Sequence, residues 1–272
     1  MLLRVANRLV AVAALRRRIP NWAVGSAVRA MEREAMNSDP KRIHGFFTYT
    51  GGKWRLAKEY YAPLFPKIVE PFAGSAGYAG KYYWLDVKLY DINPIIVGVW
   101  DYIIRASTAE INRLPLNVQD TRKLTRLPQE ARWLIGFWMQ RGLSNPRETP
   151  CSWMRSGNWS VHFWGPEKRA RIARQAELIR HWQIKQLSWE RIPNTTATWF
   201  VDPPYKRGGT RYEFNHINYE RLASWCRKRN GEVIVCERSC ENWLPFKPLA
   251  QLTTVANSIY EEGFWYRGPW KR

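Results

Sequence analysis

The chain has 272 residues, 45% hydrophobic and 14% aromatic, which suits one large domain, or one domain with an insertion, and excludes a disordered chain. No apolar run approaches the ~18 residues of a membrane span, so no membrane partner is expected. The net charge of +20 serves solubility, but at this size it points to a polyanion, because Lys and Arg release counterions condensed on phosphates.

Sixteen tryptophans suit a nucleic-acid partner as well as a core, since aromatic faces stack on exposed bases. The four cysteines, Cys151, Cys226, Cys236 and Cys240, form no CxxC pair, and the four histidines show no ligand spacing beside them. Reduced structural thiols in a cytoplasmic protein without a metal are expected.

The first thirty residues hold six arginines and no acid. They read as a basic amphipathic or disordered extension, with Met31 or Met36 as alternative starts, or as an organelle transit peptide. Residues 31–45 look like a linker, so 1–45 form one unit. The stretch "FFTYTGGKWRLAKEYYAPLF" predicts a Gly-rich turn and a helix with apolar spacing at Leu56, Tyr60 and Leu64. "KIVEPFAGSAGYAGKYY" predicts a short buried strand, a Gly-rich loop and a helix. "DVKLYDIN" is a second strand ending on an acid, and "PIIVGVWDYIIRA" is an apolar helix. This βαβ pattern predicts an α/β fold with a parallel sheet.

The pattern breaks near residue 110. Residues 121–190 hold thirteen Lys and Arg, five Asp and Glu, and seven tryptophans. Their flanks look helical and their middle is rich in turn residues. The sheet is expected to resume at "ATWFVDPPY", followed by a loop "KRGGTRYEFNHI", a helix near 218–229 and the strand "GEVIVCE". A basic, mostly helical insertion, 116–190, thus interrupts a domain made of 46–115 and 191–272.

Three acids carry the chemical argument. Glu70 lies in "VEPFAGSAG", a strand running into a Gly-rich turn at a helix start, where glycines let a ligand approach the backbone. An acid there suits a cationic or hydroxyl-bearing ligand better than a phosphate. Asp91 follows 21 residues later at the end of the second strand, the offset at which a carboxylate meets ribose hydroxyls. It also suits an N-cap or turn before Asn93-Pro94. Asp202 opens Asp202-Pro203-Pro204-Tyr205. Two prolines fix φ near about −65° and remove two backbone donors, so the carbonyl before the second is rigidly aimed. A carboxylate and that carbonyl can each take one N–H of an exocyclic amine, freeing its lone pair. A Tyr205 ring stacked on the base adds roughly 1–3 kcal/mol.

"YTGGK" at 49–53, "VEPFAGSAG" at 69–77, "LYDIN" at 89–93 and "FVDPPY" at 200–205 resemble, in order, the motifs of Dam-type DNA adenine-N6 methyltransferases. The resemblance covers about residues 46–246, and "GEVIVCERSCENWLPF" looks like phage-borne and prophage-borne members. It implies a Rossmann-like methyltransferase sheet with an inserted target-recognition domain, S-adenosylmethionine as methyl donor, and double-stranded DNA as substrate. By resemblance, Tyr49 and Lys53 line the donor pocket, Phe72, Gly74 and Ser75 form the loop around its methionine part, and Asp91 holds the ribose. Asp202 touches the donor's ammonium and the adenine N6, and Tyr205 stacks the flipped adenine. The basic N-terminal extension is not part of the pattern.

Reaching an N6 amine inside a duplex requires flipping the nucleotide out, at a cost of a few kcal/mol. The insertion would track phosphates and read the site, with Arg141, Asn145, Arg147, Arg155, Asn158 and His162 as candidates. The loop "KRGGTRYEF" would close over the extruded base with Gly208-Gly209 as hinge. Neither a metal nor a dedicated general base is needed. A monomer is expected, with a dimer open. Cytosine-N4 or RNA-base methylation, and DNA binding without catalysis, are the alternative readings.

Overall fold

The computed structural model describes residues 43–140, 142–155, 163–253 and 259–268. Arg141, Asn158 and His162, with residues 1–42, lie outside them. Short apolar runs become strands buried on both faces: β1 (Lys67–Glu70), β2 (Asp86–Asp91), β4 (Ala197–Val201) and β5 (Gly231–Arg238). All five residues of β4 are buried, as a central parallel strand requires. Alternate residues face two cores. Ile68, Leu89, Phe200 and Ile234 enter one cluster, while Val69, Tyr90, Trp199 and Val233 enter the other.

Among the described residues the sheet has seven strands in the order β3-β2-β1-β4-β5-β7-β6, adding β3 (Gln183–Gln186), β6 (Lys247–Thr253) and β7 (Ile259–Arg267). The first five run parallel, and β7 is antiparallel to both β5 and β6. The chain winds outward from β1 to β3 and then returns to β4, so β1 and β4 flank a topological switch point of the kind where open α/β sheets bind ligands. The α/β fold agrees with the sequence reading and is compatible with a Rossmann-like architecture, but the sheet is mixed rather than parallel throughout, because β7 and its partner β6 follow one another as an antiparallel pair at one edge.

Among the described residues the α-helices are α1 (Gly77–Lys81), α2 (Pro94–Arg105), α3 (Thr108–Asn112), α4 (Gln129–Phe137), α5 (Ser152–Arg155), α6 (Pro166–Ala176) and α7 (Tyr219–Arg227). Their starts follow local chemistry. Asn93 caps α2 by accepting from Ile95 N at 2.9 Å, with Pro94 pre-set at the first position. Ser107 and Glu110 form a capping box on α3. Among the described residues no helix is long and apolar enough to cross a membrane.

Three expectations change. Residues 53–59 form consecutive turns rather than a helix, with Ala57 N donating to Lys53 O at 2.7 Å and Glu59 N to Leu56 O at 2.8 Å. Trp54 is drawn onto α1, and Pro63 blocks helical continuation. Leu64 is consequently exposed while Tyr60 is buried. The sheet resumes at β3, before residue 197, because Gln183–Gln186 pairs with β2 at the edge. Its sequence, QIKQ, is nearly all polar and carries no strand signal. The β6–β7 hairpin was not anticipated. Residues of the basic segment, among them Leu134, Phe137, Trp164 and Trp182, pack in the same cluster as Ile68 and Phe200.

The contact that sets Lys53 is glycine-dependent. A Cβ at Gly77 would lie 2.6 Å from Trp54 N and 2.8 Å from Lys53 C, both backbone atoms, while one at Gly80 would overlap the Trp54 ring. Gly77→Ala should therefore cost about 1–3 kcal/mol, as overpacking does, and displace the Lys53 backbone. Denaturant unfolding checks this, and an unchanged midpoint would show that the approach is not tight.

Candidate active site

Three acids mark the carboxyl ends of three neighbouring strands. Glu70 is the last residue of β1, Asp91 the last of β2, and Asp202 follows β4 directly. They line a cleft together with Tyr49, Lys53, Phe72, Gly74, Ser75 and Pro204. All the residues expected at a cofactor site are thus brought together. Pro203 and Tyr205 do not line the cleft.

The Gly-rich loop is held from three sides. Gly74 has φ +44°, in the left-handed region, and its N–H donates to Asp91 Oδ2 at 3.1 Å. Its carbonyl accepts from Trp100 Nε1 at 2.8 Å. A Cβ at Gly74 would sit 3.2 Å from the Tyr49 ring. Asp91 Oδ1 accepts from Asn93 N at 2.9 Å, so this acid also closes the turn before α2. Burial raises its pKa to about 6 against those hydrogen bonds. Glu70 is fully buried, accepts from Ala79 N at 2.7 Å, and is pushed up to about 8 by burial.

Asp202 is held by Lys53, whose Nζ lies 2.8 Å from Oδ1. Burial raises the Asp202 carboxyl to about 6, outweighing the attraction of Lys53. Burial lowers the Lys53 ammonium, and Asp202 and Glu262 more than reverse it, so its pKa ends above the ordinary lysine value. Lys53 also donates to Gly51 O at 3.0 Å, and its Nζ lies 3.7 Å from Glu262 Oε1 and 4.9 Å from the centre of the Tyr205 ring.

The resemblance gives Tyr205 a stacking role; in the structure its hydroxyl donates to Glu262 Oε1, its ring packs against the core, and Lys53 sits over it. A buried carboxylate needs donors, and Tyr205 supplies one while Tyr60 supplies another at 2.7 Å. The Pro204 carbonyl accepts from Tyr219 at 2.8 Å. The Pro203 carbonyl has no donor among the described residues.

The loop after the prolines already lies against the cleft. Tyr212 donates to Thr50 O at 2.9 Å and packs 5.8 Å from the Tyr49 ring, and Glu213 and Phe214 join the lining. Gly208 has φ +93°, the freedom expected of a hinge. Ser144 ties Arg211 O to the basic segment at 2.6 Å. Of the candidate base readers, Arg147 is held by Gln140 and Thr149, Arg155 by Pro150 O, and Asn145 is exposed.

Sequence reading missed Glu262 and Tyr60. The signal for Glu262 was present: in "IYEEGFWYR" it occupies the same strand face as Tyr260, Phe264 and Tyr266, an acid in an aromatic row. Among the described residues no group of three metal-ligating side chains comes together. Neither a family model nor a curated protein matches the chain.

Because Glu70 holds its proton more tightly folded than unfolded, its contribution to stability is full below about pH 4.5 and lost as pH rises through about 8. Asp91 and Asp202, raised to about 6, act with the same sign. Glu70→Gln keeps an acceptor for Ala79 N and should match the parent near pH 5 but melt above it at pH 9. Parallel melting profiles across that range would refute a neutral buried Glu70.

Proposed function

We propose that this protein transfers a methyl group from S-adenosylmethionine to the N6 amine of adenine in double-stranded DNA. One observation carries the reading. A chain of net charge +20 holds, at the switch point of its sheet, a cleft whose charged lining among the described residues is Asp91, Asp202 and Glu213 against Lys53, with Glu70 beside them largely protonated. Phosphate-bearing cofactors would meet like charge there, which costs several kcal/mol. A nucleoside carrying a cation meets opposite charge. S-adenosylmethionine has a ribose, a sulfonium and an ammonium against one carboxylate, and bound there it supplies a methyl group already activated for transfer.

The chain's own residues then have separable tasks. Asp91 keeps lone pairs for ribose hydroxyls while Gly74 and Asn93 fix its orientation. Asp202 offers negative charge to the cationic part, and Glu70, largely protonated near pH 7, is favoured to ionise as a cation approaches. Asp202 lines the cleft and is an acceptor for one N–H bond of an amine; the Pro203 carbonyl follows it in the chain, outside the lining and with no donor among the described residues, and is the candidate for the second. Drawing those hydrogens toward the acceptors localises the nitrogen lone pair, and the work is mainly positioning. The basic exterior suits the phosphates of a duplex, and Ser144 and Arg211 join the basic segment to the cleft mouth. The same two acceptors serve cytosine N4, so the modified base must be identified directly.

Purified protein with labelled S-adenosylmethionine and mixed-sequence DNA should label N6-methyladenine on nucleoside analysis. Label found solely in N4-methylcytosine, or none at all, overturns the reading. Asp202→Ala should lower transfer at least about a hundredfold, the scale of a misplaced reacting group, while DNA binding persists. By calorimetry S-adenosylmethionine should bind more tightly than ATP or NAD; preference for either phosphate-bearing ligand would contradict the charge argument.

A further inference from the structure

Glu262 has no part in the site as the sequence describes it, yet it is fully buried on β7 beside the Lys53–Asp202 pair. Its Oε1 accepts from Tyr60 and Tyr205. Its Oε2 is buried and has no hydrogen-bond partner among the described residues. An unpartnered carboxylate oxygen in an interior is costly and marks a place built to receive a donor. The Lys53 ammonium lies 3.7 Å from Oε1 of the same carboxylate and 2.8 Å from Asp202 Oδ1.

That arrangement creates a conflict for amine binding. Asp202 is one of the two acceptors offered to the substrate amine, and Lys53 holds its Oδ1. Oδ2 can accept a neutral N–H, but that N–H meets the full charge of the carboxylate only if the ammonium moves to another anion, since a buried cation left unpaired is strongly destabilising. Glu262 is that anion. The ammonium already lies within 4.0 Å of both carboxylates, so the shift from Asp202 toward Glu262 is short, and it starts over the Tyr205 ring.

We propose that Glu262 is a positioning residue that takes over Lys53 when the substrate amine engages Asp202, so that the lysine shifts between two carboxylates during each cycle. The inference rests on the reading of Asp202 as the amine-binding carboxylate. No bond to carbon forms or breaks in the shift and no proton is transferred; an ammonium exchanges one anionic partner for another.

The test compares the parent protein with Glu262→Gln, Lys53→Met and the double variant. Glutamine keeps an oxygen for both tyrosine hydroxyls and removes only the charge. Glu262→Gln should lower kcat roughly ten- to a hundredfold, the range expected when a reacting group is held out of place, with little change in KM for the donor. The double variant should be no slower than Lys53→Met alone, because without the lysine nothing shares the Asp202 charge. A parent-like kcat in Glu262→Gln, or multiplying losses in the double variant, overturns the proposal, since a purely structural Glu262 would give the latter. The same four proteins, melted without substrate, must show coupling between positions 53 and 262, and additive shifts also overturn it. That measurement does not depend on methyl transfer. A parent protein that transfers no methyl group therefore defeats the functional reading, while the melting cycle still judges the lysine's second partner.

Discussion

Everything at the cleft depends on keeping one ammonium charged in the interior. Lys53 is buried, and the desolvation of a lysine costs several kcal/mol even after relaxation. Its partners come from sites far apart in sequence: Gly51 beside it, Asp202 after β4, and Glu262 on β7. Three segments that share no local structure therefore meet because one charge needs all of them. The turns at 53–59 follow from the same need. A helix there would turn Lys53 with the helical period, whereas Trp54 packed against Gly77 and Gly80 fixes where the lysine starts.

The electrostatics have two opposite scales. At physiological salt the Debye length is about 8 Å, so the basic exterior acts on a polyanion at close range. Within the cleft, screening is weak and the immediate neighbours decide, and the ionisable carboxyls among them outnumber Lys53. A protein can therefore present cations to a phosphate backbone and carboxylates to a small ligand without the two fields cancelling. Burial sharpens the second field. Glu70, raised to about 8, is largely neutral near pH 7 without a ligand, and an arriving cation favours its ionised form. Charge in the cleft is thus partly created by what binds there.

The sequence made the parallel core legible because β1, β2, β4 and β5 are buried on both faces and read as apolar runs ending on acids or on prolines. Glu70, Asp91 and Asp202 were readable for the same reason, since a carboxylate at the end of a buried strand is conspicuous. What failed to show were edges and distant partners. β3 is polar because an edge strand has little to bury. The role of Glu262 depends on β7 inserting antiparallel between β5 and β6, which local composition does not state. Tyr205 was assigned by its place after two prolines, and nothing in those residues told that a carboxylate 57 positions later would take its hydroxyl.

The three strand-end acids differ in what satisfies them, and the difference explains the double proline. Asp91 takes backbone N–H groups from Gly74 and Asn93, and Glu70 takes one from Ala79. Asp202 takes no backbone donor among the described residues, and the two positions after it, where a turn aspartate finds its donor, are prolines without an N–H. With Asn93 in the equivalent place, Asp91 closes its own turn; Asp202 cannot. It must be satisfied from outside its own turn, as it is by Lys53. Pro203-Pro204 therefore does more than stiffen a turn. It keeps the backbone from answering the carboxylate, so that the group remains available to whatever enters the cleft.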